Sequence, residues 1–248
     1  MIKSNLGYFS KIEPFGTVDG PGVRTVFFLA GCPLRCLYCH NPETWAYQNG
    51  NSLTSDEVLK MVKRYQAYYG KDGGVTFSGG EPLAQSEFLI ETCSLLRSNG
   101  IHVALDTSGV GNPLYHEKVL DQVDLVIYDL KAADSDLYRR ITSQPIDPTE
   151  VFLSTLQRVG TPIWIRQVIV PKINDTEENL EATAQKIATL QNVVKVELLP
   201  YHTMGRAKYD KLHIAYPLED TPAMDIEHCK RLNESLIRRI EEIRNTNR

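Results

Sequence analysis

Cys32-Pro33-Leu34-Arg35-Cys36-Leu37-Tyr38-Cys39-His40 decides how the rest of the chain is read. It holds three of the five cysteines, spaced C-x3-C-x2-C. Thiolates this close in sequence converge on one metal centre more readily than they pair with one another. A structural zinc site takes four ligands and a closed iron–sulfur cluster takes four cysteines. Three cysteines around a four-iron cluster leave one iron open, as an open coordination position leaves a catalytic metal free for its substrate. Three other readings compete: zinc completed by His40, haem attachment through Cys36-Leu37-Tyr38-Cys39-His40, and a thioredoxin-like C-x-x-C. An imidazole directly after Cys39 is poorly placed to close a tetrahedron. The haem pattern leaves Cys32 unexplained, and the redox pair leaves a surplus thiol.

Working outward, the chain has 248 residues, 42% of them hydrophobic, enough for a full core. A net charge of −4 gives no basic footprint for nucleic acid. No apolar run approaches the roughly 18 residues of a membrane span. Met1 to Gly7 lacks the apolar centre of a signal peptide. An odd number of cysteines in such a chain reads as reduced thiols and metal ligands. The expectation is a cytoplasmic protein with one domain over 1–248.

Strands and helices alternate from end to end. Leu6 to Glu13 is a candidate first strand, followed by the glycine turn Gly16-Thr17-Val18-Asp19-Gly20-Pro21-Gly22. Further strands are expected over Val23–Ala30, Gly74–Phe77, Ile101–Leu105, Val123–Tyr128, Ile163–Val170 and Val193–Leu199. Helices are expected near Ser55–Tyr69, Ser86–Ser98, Tyr115–Leu120, Ser135–Thr142, Thr149–Val159, Thr176–Leu190 and Asp225–Arg244. Met204 to Met224 has no clear assignment. This alternation predicts βαβ units with a parallel sheet. Six such strands are too few to close an eight-stranded barrel, so an open, partial barrel or a doubly wound sheet is expected.

In either architecture ligands bind beyond the carboxyl ends of the strands. The unusual polar groups follow six strands in turn: the cysteine loop, Gly79-Gly80-Glu81, Asp106-Thr107, Asp129 with Lys131, Arg166 and His202. Each also has an ordinary structural reading. Gly79-Gly80 makes a tight turn, Asp106 caps one, and Asp129 and Lys131 form an ion pair. Cys93 and Cys229 lie in helices, Cys93 as a small buried hydrophobe; Trp45 and Trp164 read as packing residues.

Gly16 to Arg24 and Gly31 to Pro42, with Tyr38 before the last cysteine, resemble the radical S-adenosylmethionine (SAM) family, and within it the activases of glycyl radical enzymes. Ser78-Gly79-Gly80-Glu81, Asp106-Thr107, Asp129-Leu130-Lys131, Trp164-Ile165-Arg166 and Leu198 to His202 fall in the same order. The resemblance implies an α/β fold, a partial (β/α)6 barrel with parallel strands. It implies a [4Fe–4S] cluster on Cys32, Cys36 and Cys39, with SAM on the open iron. Tyr38, Cys39, His40, Gly80, Asp129, Leu130, Lys131 and His202 would contact SAM, Gly80 through its backbone to the amino group. Asp106, Thr107 and Asp129 match positions where such activases hold a monovalent cation.

The activity implied is reductive cleavage of SAM and removal of hydrogen from a glycine of a protein partner. No side chain need act as acid or base. Flavodoxin or ferredoxin would supply the electron, and Arg166 and His40 are candidate contacts for the partner's loop. No cysteine lies between Cys39 and Cys93, so the ferredoxin-like insert of many such activases is missing. That favours pyruvate formate-lyase as the partner without excluding the shorter ribonucleotide reductase activases. A radical SAM enzyme with a small-molecule substrate and a zinc-stabilised binding protein are the readings from other classes; a monomer is expected.

Overall fold

The computed structural model describes residues 5–47 and 51–246. Most of the stretch read for a signal peptide, residues 1–4, lies outside the described residues. The chain divides into two compact units, each described by itself.

The first unit comprises 1–33, 43–128 and 147–162. Its strands are β1 (Gly7–Gly16), β2 (Arg24–Leu29), β3 (Asn51–Leu53), β4 (Gly74–Gly79), β5 (Val103–Thr107) and β6 (Leu125–Asp129), side by side in the order β3-β1-β2-β4-β5-β6. β2, β4, β5 and β6 run parallel, with Phe27 beside Phe77 and Phe77 beside Leu105. These strands are nearly continuous apolar runs because both faces of a parallel sheet are covered. The expected first strand is longer than its sequence pattern suggested and antiparallel to β2. β3 was not foreseen: three residues are too few to show a period, and pairing with β1 defines them.

Helices α1 (Ser55–Tyr65), α2 (Ser86–Ser98) and α3 (Pro113–Leu120) follow β3, β4 and β5. Thr54 opens α1 with a full capping box, its hydroxyl accepting from Glu57 N–H while the Glu57 carboxylate accepts from Thr54 N–H. The helix ends earlier than expected, and Gln66–Tyr68 continue it as a 3₁₀ turn. Phe9, Phe27, Phe77 and Phe88 centre the core, with neighbouring ring centroids 5.5 to 6.4 Å apart. The glycine turn before β2 is held by Arg24, which is fully buried and donates to Pro21 O (2.9 Å), Val75 O (2.6 Å) and Thr76 Oγ1 (2.6 Å). Burial pulls its guanidinium down to about 10.

The second unit comprises 34–42, 129–146 and 163–248. It contains α4 (Ser135–Thr142), the parallel pair β7 (Ile163–Ile169) and β8 (Val193–Pro200), α6 (Glu177–Ala188), α7 (Arg206–Leu212) and α8 (Ile226–Thr246), while α5 (Asp147–Val159) belongs to the first. The expected six parallel strands are present, four in one unit and two in the other, with neither set closed on itself. The fold is α/β with an open, mostly parallel sheet, as the sequence predicts. Arg206–Leu212, inside the stretch left unassigned, forms a helix whose short length hid it from periodicity. No helix among the described residues is long and apolar enough to cross a membrane.

Candidate active site

In the second unit the part of the cysteine loop from Leu34 on is pinned along its length. Arg35 N–H donates to Thr142 O and Leu37 N–H to Ile141 O, each at 2.9 Å, tying the loop to the end of α4. Cys39 N–H donates to Cys36 O (3.0 Å), a turn that brings the last two thiols round. Two residues of α7 hold the rest: the Tyr209 hydroxyl donates to Cys39 O (3.1 Å) and the Lys208 ammonium to Asn41 Oδ1 (2.7 Å).

Beside this loop stands the pair expected after β6. Lys131 Nζ lies 2.7 Å from Asp129 Oδ2 and 5.7 Å from the centre of the Tyr38 ring. Burial pulls the Lys131 ammonium down, but Asp129, Tyr38 and Cys36 together hold it well above the ordinary lysine value. Burial pushes the Tyr38 phenol up, and raises the Cys36 thiol to about 11. Leu130 is buried, its N–H donating to Arg166 O (2.8 Å). The His40 and His202 rings meet edge to face at 4.9 Å. Tyr38, His40, Tyr201, His202, Val168, Leu199 and Pro200 line a cavity of about 250 Å³. Six of the predicted residues of this unit, Tyr38, Cys39, His40, Asp129, Lys131 and His202, therefore fall into contacts on one loop, one strand end and one cavity. Arg166 instead pairs with Glu197 (3.3 Å) and stacks on Trp164 (4.4 Å).

In the first unit the turns after β4 and β5 are joined by Glu81, which the sequence reading set among the polar groups of the strand ends without foreseeing these partners. Glu81 is 1% exposed and its carboxylate accepts four hydrogen bonds: from Leu83 N–H (3.0 Å), Thr107 Oγ1 (2.5 Å), Ser108 N–H (2.9 Å) and Ser108 Oγ (2.5 Å). Burial raises this carboxyl above the ordinary range, against the pull of those donors. The signal in the sequence was a glutamate before a proline, placed to cap a turn. Asp106 is anchored by Ser78 Oγ (2.7 Å). Gly79 has φ +108°, and a Cβ on Gly80 would overlap the Gly31 carbonyl.

The Gly80 turn is also specific in what it can offer. Gly80 N–H donates to Leu29 O and Glu81 N–H to Gly31 O, both at 2.8 Å. Both donors are spent within the protein, so a backbone contact from Gly80 to a ligand would have to run through its carbonyl oxygen. That group accepts, which suits an ammonium. Cys32 N–H is likewise fixed, donating to Trp45 O (3.3 Å).

The donor chemistry fits an iron–sulfur cluster. The three cysteines are unbridged, with Cys32 and Cys39 half-buried and Cys36 buried. A thiol raised by burial stays protonated until a metal takes the proton's place. Among the described residues no three His, Cys, Asp or Glu side chains are placed to share a single metal ion. A cubane differs from such a site because it spreads its thiolates over three irons. The expected cation set of Asp106, Thr107 and Asp129 has only two carboxylates. Cys93 is buried in its helix, as expected of a small packing residue, and Cys229 is buried as well.

A family model described as the radical SAM superfamily matches residues 26–187, and the chain belongs to that superfamily. Within it, the chain is an enzyme of the activating type. It is 48% identical over 232 residues, 93% of this chain and 97% of that one, to the pyruvate formate-lyase-activating enzyme of Clostridium pasteurianum. A solved domain of the pyruvate-formate lyase-activating enzyme from Bacteroides vulgatus shares 28% identity at a TM-score of 0.52, covering 68% of this chain and 94% of that one. A radical SAM methyltransferase from Sphaerobacter thermophilus, 18% identical, shares the fold at a TM-score of 0.61, covering 87% of this chain and 64% of that one.

Proposed function

We propose that the chain activates pyruvate formate-lyase by placing a radical on one of its glycines. The observation that carries this reading is the 48% identity, nearly end to end, to an enzyme named for that activation. Cys32, Cys36 and Cys39 are assigned to a [4Fe–4S] cluster, and Tyr38, Cys39, His40, Gly80, Asp129, Leu130, Lys131 and His202 to SAM. Held there, the cluster and SAM would supply one-electron reductive cleavage of the sulfonium and hydrogen-atom removal from the partner's glycine, with flavodoxin or ferredoxin as the source of the electron.

The chain's own residues do the positioning. Gly80, its N–H spent on Leu29, offers a carbonyl to the amino group of SAM. Lys131, held charged beside Asp129, places a cation next to the Tyr38 ring. Tyr38, His40 and His202 line a cavity together with apolar Val168 and Leu199. No side chain is asked to move a proton. Asp106 and Asp129 are the carboxylates for a monovalent cation. The protein is assigned to the cytoplasm as a monomer.

The test incubates anaerobically reconstituted, reduced protein with SAM and pyruvate formate-lyase and looks for a glycyl radical by electron paramagnetic resonance. Cys36→Ala is expected to lose iron, sulfide and radical formation together, and an intact cluster in that variant would refute the ligand assignment. SAM cleavage without a radical on this partner would point to another glycyl radical enzyme or a small-molecule substrate.

A further inference from the structure

The chain carries more acidic than basic residues, 31 against 27, yet arginines gather beside the cysteine loop. Arg139 and Arg140 lie in the last turn of α4, exposed, and neither forms an ion pair among the described residues. Cations in a last helical turn complement the helix dipole, which by itself asks for nothing more. The third arginine comes from elsewhere. Arg35 is exposed on the cysteine loop itself, directly before Cys36, and its N–H donates to Thr142 O of the same helix (2.9 Å). Thr142 follows Arg139 by three residues, about one helical turn. The acidic residues of this helix, Asp134 and Asp136, are confined to its opposite end, where Asp134 caps it.

We infer that Arg35, Arg139 and Arg140 form the docking surface for an acidic one-electron donor protein. The inference rests on the proposed function, which requires an electron to be delivered to the centre held by Cys32, Cys36 and Cys39. Three features favour this face. Its charge is opposite in sign to the whole chain, so it selects an acidic partner and steers it to one place. Arg35 is the covalent neighbour of Cys36, and so the shortest route inward from a docked donor runs along the loop. That loop is also fastened to α4 by two backbone hydrogen bonds, at Arg35 and at Leu37, so docking meets a rigid surface. Transient redox contacts are small, and a patch of three arginines is of suitable size to dominate one.

The experiment compares the reconstituted wild type, the charge-reversed R139E/R140E protein and the charge-conserving R139K/R140K protein. Oxidised flavodoxin is the probe, and equilibrium binding is measured at low and high salt. At low salt the charge-reversed protein is expected to bind about tenfold more weakly or worse, and the charge-conserving protein to bind like the wild type. High salt should bring all three together. Equal binding of wild type and R139E/R140E at low salt would overturn the inference. Dithionite, a small reductant that needs no docking, should reduce all three proteins at equal rates. If dithionite reduces none of them, the cluster assignment has failed and not the docking surface.

Discussion

Replacing Glu81 by glutamine tests how the two turns of the first unit are joined. The carboxylate is 1% exposed and both its oxygens accept from a backbone N–H, Oε1 from Leu83 and Oε2 from Ser108. A glutamine of the same shape keeps one acceptor oxygen and turns the other into an NH₂. Thr107 and Ser108 hydroxyls can rotate to accept from that NH₂, but a backbone N–H cannot. Whichever way the amide points, one buried N–H faces another donor. Leaving one such group unsatisfied costs about 1–3 kcal/mol, and losing charge assistance on the rest adds to it, so about 3 kcal/mol is expected. In urea this corresponds to a midpoint lowered by roughly 1 M at an unchanged slope. A loss below about 1 kcal/mol would refute the claim that this carboxylate joins the turns, because one orphaned donor alone should exceed it.

Two further predictions follow from buried groups. His116 is fully buried against Phe152, ring centroids 5.1 Å apart, and burial lowers its pKa below 6.5. Its unfolded form therefore takes a proton that the folded form refuses. The associated stability is complete above pH 6.5 and falls as pH drops towards the lowered value, by at most about 1.4 kcal/mol per pH unit. Denaturation of wild type and His116→Leu between pH 7 and pH 5 should show the steeper loss in the wild type, and parallel curves would rule the histidine out. Tyr209→Phe removes the hydroxyl that donates to Cys39 O and should cost about 1 kcal/mol. Hydrogen exchange at Cys39 to Asn41 should quicken in that variant, whereas unchanged protection would show that α7 does not hold the loop.

The strands and most helices were readable because burial in a parallel sheet leaves apolar runs and helix faces leave a longer period. Ser86–Ser98 and Ser135–Thr142 form the helices expected of them. What escaped was too short to show a period or depended on long-range contacts. Asn51–Leu53 is a strand only because β1 lies beside it, and α7 has two turns. The candidate site divides in the same way. Cys32, Cys36 and Cys39 stand out by spacing, and Asp129 and Lys131 pair as two residues alternating on a strand end do. Tyr209 did not stand out, and Glu81 stood out as a polar group after β4 but not for the partners it meets. Glu81 meets partners 26 and 27 residues away and Tyr209 a carbonyl 170 residues away, and nothing local in the sequence announces such meetings.

An open sheet has a free edge, and a free edge is a template on which other chains can stack. In the first unit that edge is β3, three residues long, with Asn51 and Ser52 exposed and Leu53 half-covered, continued by the part of β1 beyond Phe9 that β3 does not pair. β3 itself offers few unpaired amides, and the uncovered part of β1 is interrupted by irregular register and carries the Lys11–Glu13 ion pair, both poor templates for a neighbouring strand. By ending there rather than on the long apolar β2, the first unit keeps its sheet open without making it adhesive. The hairpin that adds β1 to β2 thus serves colloidal stability as much as folding, since it covers the strand most prone to aggregate.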